Sequence, residues 1–133
     1  MMLLDTTVLV YAVGGDHPLA TPARDIIAKV RDGRERAHTT PEVIQEFAHV
    51  RARRRAREDA GAIATAYAAV LAPLQVVTGQ HLSAGLQLWQ QYPKLASFDA
   101  VLAAVAISLD AELVSADRAF SEVAELRWRD LGA

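Results

Sequence analysis

Four acidic side chains, widely separated along the chain, have the residue type and the setting to bind a metal ion. Asp5 ends an apolar opening segment, and Asp99 is the one ionisable side chain in residues 97–109. Burying an unpaired charge is costly, so a carboxylate in so apolar a segment needs a counter-charge. We hypothesise that a divalent cation supplies it, held jointly by Asp5, Glu46, Asp99 and Asp117.

A cluster of carboxylates requires neutralisation. Two unit charges about 4 Å apart repel by about 4 kcal/mol at an effective dielectric constant of about 20. A fold keeps such a cluster when a cation neutralises it or when some groups stay protonated. Because the ligands are all oxygens, the set predicts a hard ion, Mg²⁺ or Mn²⁺. Asp5 and Asp99 are the expected direct ligands, whereas Glu46 and Asp117 act through water or bind a second ion.

Hydroxyl groups flank two of these acids. We expect Thr6 and Ser115 to orient a carboxylate or a metal-bound water from behind the ligands. Ordinary turn and cap chemistry is the other interpretation of such hydroxyls, and it is favoured for Thr7.

Glu46, rather than Glu42, is predicted to face the site. Apolar residues at positions 43, 44, 47 and 50 define one face of a helix, and Glu46 lies on the flank of that face. Glu42 points toward solvent in the first helical turn, where a carboxylate suits the helix dipole.

Each acid also has a purely structural interpretation. Asp5 and Asp117 suit N-caps or turns. Asp99 lies close to a helix start, where a carboxylate gains about 0.3–1 kcal/mol. Glu46 suits a surface ion pair with an arginine. Convergence favours the metal site, because Asp5 and Asp117 both follow predicted strands and therefore share the carboxyl edge of one sheet.

A dense arginine run follows the Glu46 helix. Arginines favour a helix C-terminus, so a solvated helix end is one interpretation. Arginine also binds phosphate in a bidentate manner, which suits an RNA backbone, and the same charge suits an acidic partner protein. The sequence leaves RNA and partner binding open for Arg51, Arg53, Arg54, Arg55 and Arg57.

Short strands alternating with helices predict an α/β domain with a parallel sheet flanked by helices. Five strands are predicted, at residues 2–4, 36–38, 74–77, 112–115 and 126–128. Thr21 and Thr40, each followed by proline, are predicted helix caps, and Ser97 is the predicted cap of the Asp99 helix. The helix predicted at residues 81–91 carries one apolar face, formed by Leu82, Leu86 and Trp89.

Composition limits the remaining possibilities. A chain of 133 residues, 52 % of them hydrophobic, predicts a single domain spanning 1–133. The absence of cysteine excludes disulfides and thiolate metal sites, and we expect a cytoplasmic protein without membrane association. The histidines lack zinc-ligand spacing, and no glycine-rich nucleotide loop occurs. A net charge of −2 excludes a globally basic nucleic-acid binder but permits a local basic surface.

The acidic segments, taken together, resemble the ordered motifs of PIN-domain ribonucleases. The resemblance covers essentially the whole chain and rests on residues 3–6, 43–47, 98–103 and 114–117. The segment around Asp99 is its most specific part, and Ser115, Asp117 and Phe120 match the last motif. The short single-domain form resembles VapC toxins of toxin–antitoxin pairs.

This resemblance implies a parallel five-stranded sheet and a Mg²⁺- or Mn²⁺-dependent RNA endonuclease that leaves 5′-phosphate and 3′-hydroxyl ends. It also implies a homodimer and a cognate VapB-type antitoxin that covers the site. Two other functions stay open at this point, an RNA-processing PIN nuclease without an antitoxin and a non-enzymatic Mg²⁺-binding interaction module. A receiver-type phosphotransfer domain is disfavoured, because no lysine follows Lys94 and no D-x-D follows the first strand.

Overall fold

The sheet of this protein is parallel throughout, with its first strand near the centre. A computed structural model describes residues 1–133 and gives four strands in the order β2-β1-β3-β4. The elements in chain order are β1 Met2–Leu4, α1 Thr6–Val13, α2 Ala20–Arg31, β2 Ala37–His38, α3 Pro41–Arg51, α4 Arg57–Val70, α5 Gly79–Gln91, α6 Ser97–Ser108, β3 Glu112–Ser115, a 3₁₀ helix Arg118–Glu122 and β4 Arg127–Asp130.

The two central strands are buried on both faces. Leu3, Leu4, Leu113 and Val114 have no exposed surface. Such continuous apolar runs are expected of parallel strands that carry helices on both sides. Parallel pairing of β1 with β3 brings the residues that follow Leu4 and Val114 to the same edge of the sheet. The predicted fold class is therefore confirmed.

The predicted strand at residues 74–77 is wrong, so the sheet has four strands rather than five. This segment meets the sheet through one backbone hydrogen bond, from Gln75 N to Thr39 O at 2.9 Å. Val76 is 71 % exposed. The β-branched composition favours a strand, but a strand exists only where a partner completes its ladder of hydrogen bonds.

Two of the three predicted helix caps are also wrong. Thr40 caps α3 as expected, since its hydroxyl accepts a hydrogen bond from Val43 N at 3.2 Å. Helix α2 already begins at Ala20, because a turn closed by Ala20 N and His17 O carries the chain into the helix. Helix α6 is capped by Ala96, whose carbonyl accepts the first helical hydrogen bond, so Ser97 is its first helical residue.

Helices α5 and α6 pack closely at Gly85. A β-carbon added there would lie 2.6 Å from Val101 Cα, so only glycine permits this approach. Gly85 and Leu88 face the core, whereas the apolar face formed by Leu82, Leu86 and Trp89 is exposed. None of the helices combines the length and the apolarity needed to cross a membrane.

Candidate metal-binding active site

One cavity collects all four acids at the carboxyl edge of the sheet. It has a volume of about 680 Å³ and is lined by Asp5, Glu46, Asp99 and Asp117. Asp5 lies between β1 and α1, Glu46 lies within α3, Asp99 lies in the first turn of α6, and Asp117 caps the 3₁₀ helix after β3. Four separate elements therefore supply one acidic wall.

Asp5 is held by hydroxyl groups from both central strand ends. Ser115 Oγ donates to Asp5 Oδ2 at 2.6 Å, and Thr7 Oγ1 donates to the same oxygen at 3.1 Å. The two hydroxyls accept hydrogen bonds in turn, Ser115 from Asp117 N and Thr7 from Ala116 N. Because both hydroxyls donate to Oδ2, lone pairs of Oδ1 are left for another ligand.

The hydroxyl that orients Asp5 from α1 is therefore Thr7, and the expectation that favoured Thr6 for this contact is wrong. Thr6 Oγ1 is buried, and it is the buried side-chain polar atom that has no hydrogen-bond partner in the structure. The sequence signal for Thr7 was its position two residues after the aspartate, a spacing at which hydroxyls and carboxylates pair locally.

Burial and mutual repulsion disfavour full ionisation of this cluster. Burial raises the pKa of Asp5, and hydrogen bonds from Ser115 and Thr7 oppose that rise in part. Burial, followed by the negative charges of Asp5, Asp117 and Glu46, raises the pKa of Asp99 to about 7. The cavity therefore lacks positive charge close to its acids, which is the condition that a bound cation corrects.

The donor set fits a hard divalent cation. All of the candidate ligands are oxygens, and the unpartnered hydroxyl of Thr6 also lines this cavity. No three acidic or histidine side chains form a ready-made ligand cluster, so a cation would have to draw carboxylates inward from the cavity wall. Glu42, the competing acid, is exposed and lies outside this cavity, as predicted.

The arginine run forms the opposite wall, although it does not form the continuous helical patch that the sequence suggested. Helix α3 ends at Arg51, and Arg57 begins α4 outside the cavity. The residues between them form the arginine turn, which we define as Arg53, Arg54 and Arg55; all three are exposed, line the cavity and form no ion pair with an acid.

Arg51 differs from the arginine turn because its side chain is engaged within the protein. Arg51 Nε donates to Asp59 Oδ1 at 2.9 Å, and Nη1 donates to Val13 O at 3.4 Å. These contacts join α3 to α4 and to the end of α1. Arg51 therefore anchors the base of the arginine turn, and its guanidinium is not free for a ligand.

Fold and site together define a single-domain α/β protein with an acidic cavity at the carboxyl edge of a parallel sheet, faced by unpaired arginines. The PIN domain family model matches residues 2–126. The chain is 49 % identical to Ribonuclease VapC7 of Mycobacterium tuberculosis over 131 residues, covering 95 % of this chain and 88 % of that protein. It is 30 % identical to VapC ribonuclease Mb2897 of Mycobacterium bovis, covering 97 % and 94 % of the two chains.

A solved structure shares the fold at low sequence identity. The VapBC2 structure from Rickettsia felis matches with a TM-score of 0.74 and 16 % identity over 97 % of both chains. The chain belongs to the PIN-domain family, and within that family it groups with the VapC ribonucleases. The resemblance inferred from the acidic segments is thereby confirmed.

Proposed function

We propose that this protein is a Mg²⁺- or Mn²⁺-dependent RNA endonuclease and the toxin of a type II toxin–antitoxin pair. The observation that carries the proposal is the division of one cavity into an acidic wall and an arginine wall. Carboxylates bind cations and unpaired arginines bind phosphates, so the two walls match the two charged components of a metal-assisted phosphodiester cleavage. The identity to named ribonucleases supports the same substrate class.

The residues of this chain divide the work between cation and substrate. Asp5 and Asp99 would hold the cation directly, and Glu46 and Asp117 would act through water or hold a second ion. When bound, the cation neutralises charge on the scissile phosphate and lowers the pKa of a neighbouring water. The hydroxyls that bind Asp5 Oδ2 keep its carboxylate oriented. In-line attack by water leaves the 5′-phosphate and 3′-hydroxyl ends expected of the family.

The arginine turn would hold the RNA strand. Its guanidiniums are exposed and unpaired beside the acids, so they are free to bind the phosphates on either side of the cut. Arg51 is excluded from this role by its contacts with Asp59 and Val13, and Arg57 by its position outside the cavity.

Cleavage of RNA by purified protein tests the proposal. Wild-type protein should cut RNA with Mg²⁺ or Mn²⁺ and not with a chelator, and the ends should be 5′-phosphates. Asp5→Asn should reduce the rate by more than about 100-fold, since loss of outer-shell partners alone typically costs 10–100-fold. Asp25→Asn is the matched control, because Asp25 is an exposed surface acid paired with Lys29. Equal cleavage by wild type and Asp5→Asn would refute the assignment.

Partner proteins are part of the proposal. The matched solved structures are titled as VapBC complexes, and we propose that a VapB-type antitoxin binds this chain and that the chain forms a homodimer. The exposed apolar face of α5, with Leu82, Leu86 and Trp89 at 51 %, 38 % and 47 % exposure, is suited to a protein contact. Light scattering gives the oligomeric state, and co-purification with the product of the adjacent small reading frame tests the antitoxin.

The same experiments separate the other two functions. An RNA-processing nuclease would cut RNA but would have no antitoxin encoded next to it. A Mg²⁺-binding interaction module would be stabilised by the cation and would cut no RNA. A protein whose acids are only structural caps would show neither cation-dependent stabilisation nor cleavage.

A further inference from the structure

Phe98 is an aromatic side chain at the mouth of the acidic cavity, and the metal chemistry makes no use of it. It is the second residue of α6, directly before Asp99, and it is 36 % exposed. Its side chain lines the acidic cavity and also a neighbouring apolar groove that contains Leu82 and Leu86. A large apolar side chain beside the acids and the arginine turn needs a partner of its own.

We propose that Phe98 stacks on an unpaired base of the RNA next to the scissile phosphate. The inference rests on the proposed function and specifies how the same site binds its substrate. Acids and arginines account for the cation and the phosphates but leave the base of the nucleotide without a contact. Aromatic side chains are the usual platforms for such bases, and a base is available for stacking only where the strand is unpaired.

The geometry favours Phe98 over the other aromatic residue of the cavity. Tyr11 also lines the cavity, but its ring stacks on His17 with a centroid separation of 4.6 Å, so one of its faces is already covered. Phe98 forms no aromatic pair in the structure, whose two pairs are Tyr11 with His17 and Phe47 with Tyr67. The volume of about 680 Å³ is within the range of sites that take nucleotide-sized ligands.

Binding measured without cleavage tests this role. The probe is a short fluorescent single-stranded RNA, titrated in chelator against protein carrying Asp99→Asn, which is expected not to cut. Phe98→Ala should raise Kd by roughly 5- to 100-fold, the range found when one stacked base loses its aromatic partner. Phe98→Leu should bind as weakly as Phe98→Ala, whereas Phe98→Tyr should restore binding. The thermal midpoint of each variant checks that it is folded.

Salt dependence separates stacking from phosphate binding. Phe98→Ala should leave the slope of log Kd against log salt unchanged, because the lost contact carries no charge. Arg54→Gln should reduce that slope. A duplex of the same sequence should bind with a Kd that does not respond to Phe98→Ala.

Leu82→Ala is the matched control, since Leu82 is exposed and shares the apolar groove but not the acidic cavity. Equal Kd values for Phe98→Ala and its parent would overturn the proposal, as would an equal effect of Leu82→Ala. A smaller particle in light scattering for Phe98→Ala would also overturn it, because Phe98 would then be a subunit contact. Phe98-dependent binding by a protein that never cuts RNA would retain the stacking site and reject the nuclease.

Discussion

Replacing Asp99 with asparagine should stabilise the metal-free protein while removing its response to metal. The carboxyl group of Asp99 has its pKa raised to about 7 by burial and by Asp5, Asp117 and Glu46. In the unfolded chain an aspartate titrates near about 3.9. The folded state therefore binds more protons than the unfolded state between these values, so wild-type stability falls as pH rises from about 4 to about 7.

The size of this loss follows from the shift. About three pH units correspond to about 4 kcal/mol at full effect, and solvent screening of this partly exposed group reduces that to roughly 2 kcal/mol. Asparagine keeps the shape and cannot ionise. At about pH 8 in chelator, Asp99→Asn should unfold roughly 7 °C above wild type, given about 2.1 cal/mol/K of unfolding entropy per residue. The difference should shrink as pH falls and vanish near about pH 4.

Thermal unfolding across a pH series, with chelator or with Mn²⁺, measures both effects. Mn²⁺ should raise the midpoint of wild type and should raise that of Asp99→Asn much less, since one proposed ligand is lost. Asp25→Asn, which alters an exposed i,i+4 ion pair, should change stability by no more than about 0.5 kcal/mol at any pH. If Asp99→Asn is no more stable than wild type at high pH in chelator, the four acids do not repel one another as described.

Three further changes probe the packing and the hydroxyl network. Tyr67→Phe removes a 2.8 Å hydrogen bond from a buried phenol to a carbonyl in α1 and should cost about 1 kcal/mol in denaturant unfolding. Gly85→Ala places a carbon 2.6 Å from Val101 Cα, so we expect a loss of about 1–3 kcal/mol, and an unchanged midpoint would contradict this close packing. Thr7→Val removes a hydroxyl that orients Asp5 and should weaken Mn²⁺ binding by roughly 10–100-fold in calorimetry, whereas Thr7→Ser should retain it.

The acids could be located from the sequence because their positions follow from local rules. An apolar strand followed at once by a carboxylate predicts a site at the sheet edge, and both Asp5 and Asp117 obeyed this pattern. Glu46 was separated from Glu42 by helical spacing alone, since one lines the cavity and the other is exposed. The catalytic roles of these residues stay predictions, because the structure gives their placement and not their activity.

The errors arose where a tertiary contact decides the outcome. Thr6 and Thr7 are equally good neighbours of Asp5 in sequence, and the direction of each side chain depends on how α1 meets β3. The arginine run divides because Arg51 binds Asp59 across two helices, a pairing that helix propensity does not encode. Residues 74–77 have the composition of a strand but lack a neighbouring strand to pair with.

The pairing of β1 with β3 has a consequence for when this protein becomes dangerous to the cell that makes it. The hydroxyl that steadies Asp5 belongs to Ser115, which lies 110 positions later in the chain. Translation delivers the first strand early, yet contacts of such long sequence separation form late. A ribosome-bound fragment therefore has no complete catalytic centre, and the nascent enzyme stays harmless to the RNA around it until nearly all of it has been synthesised.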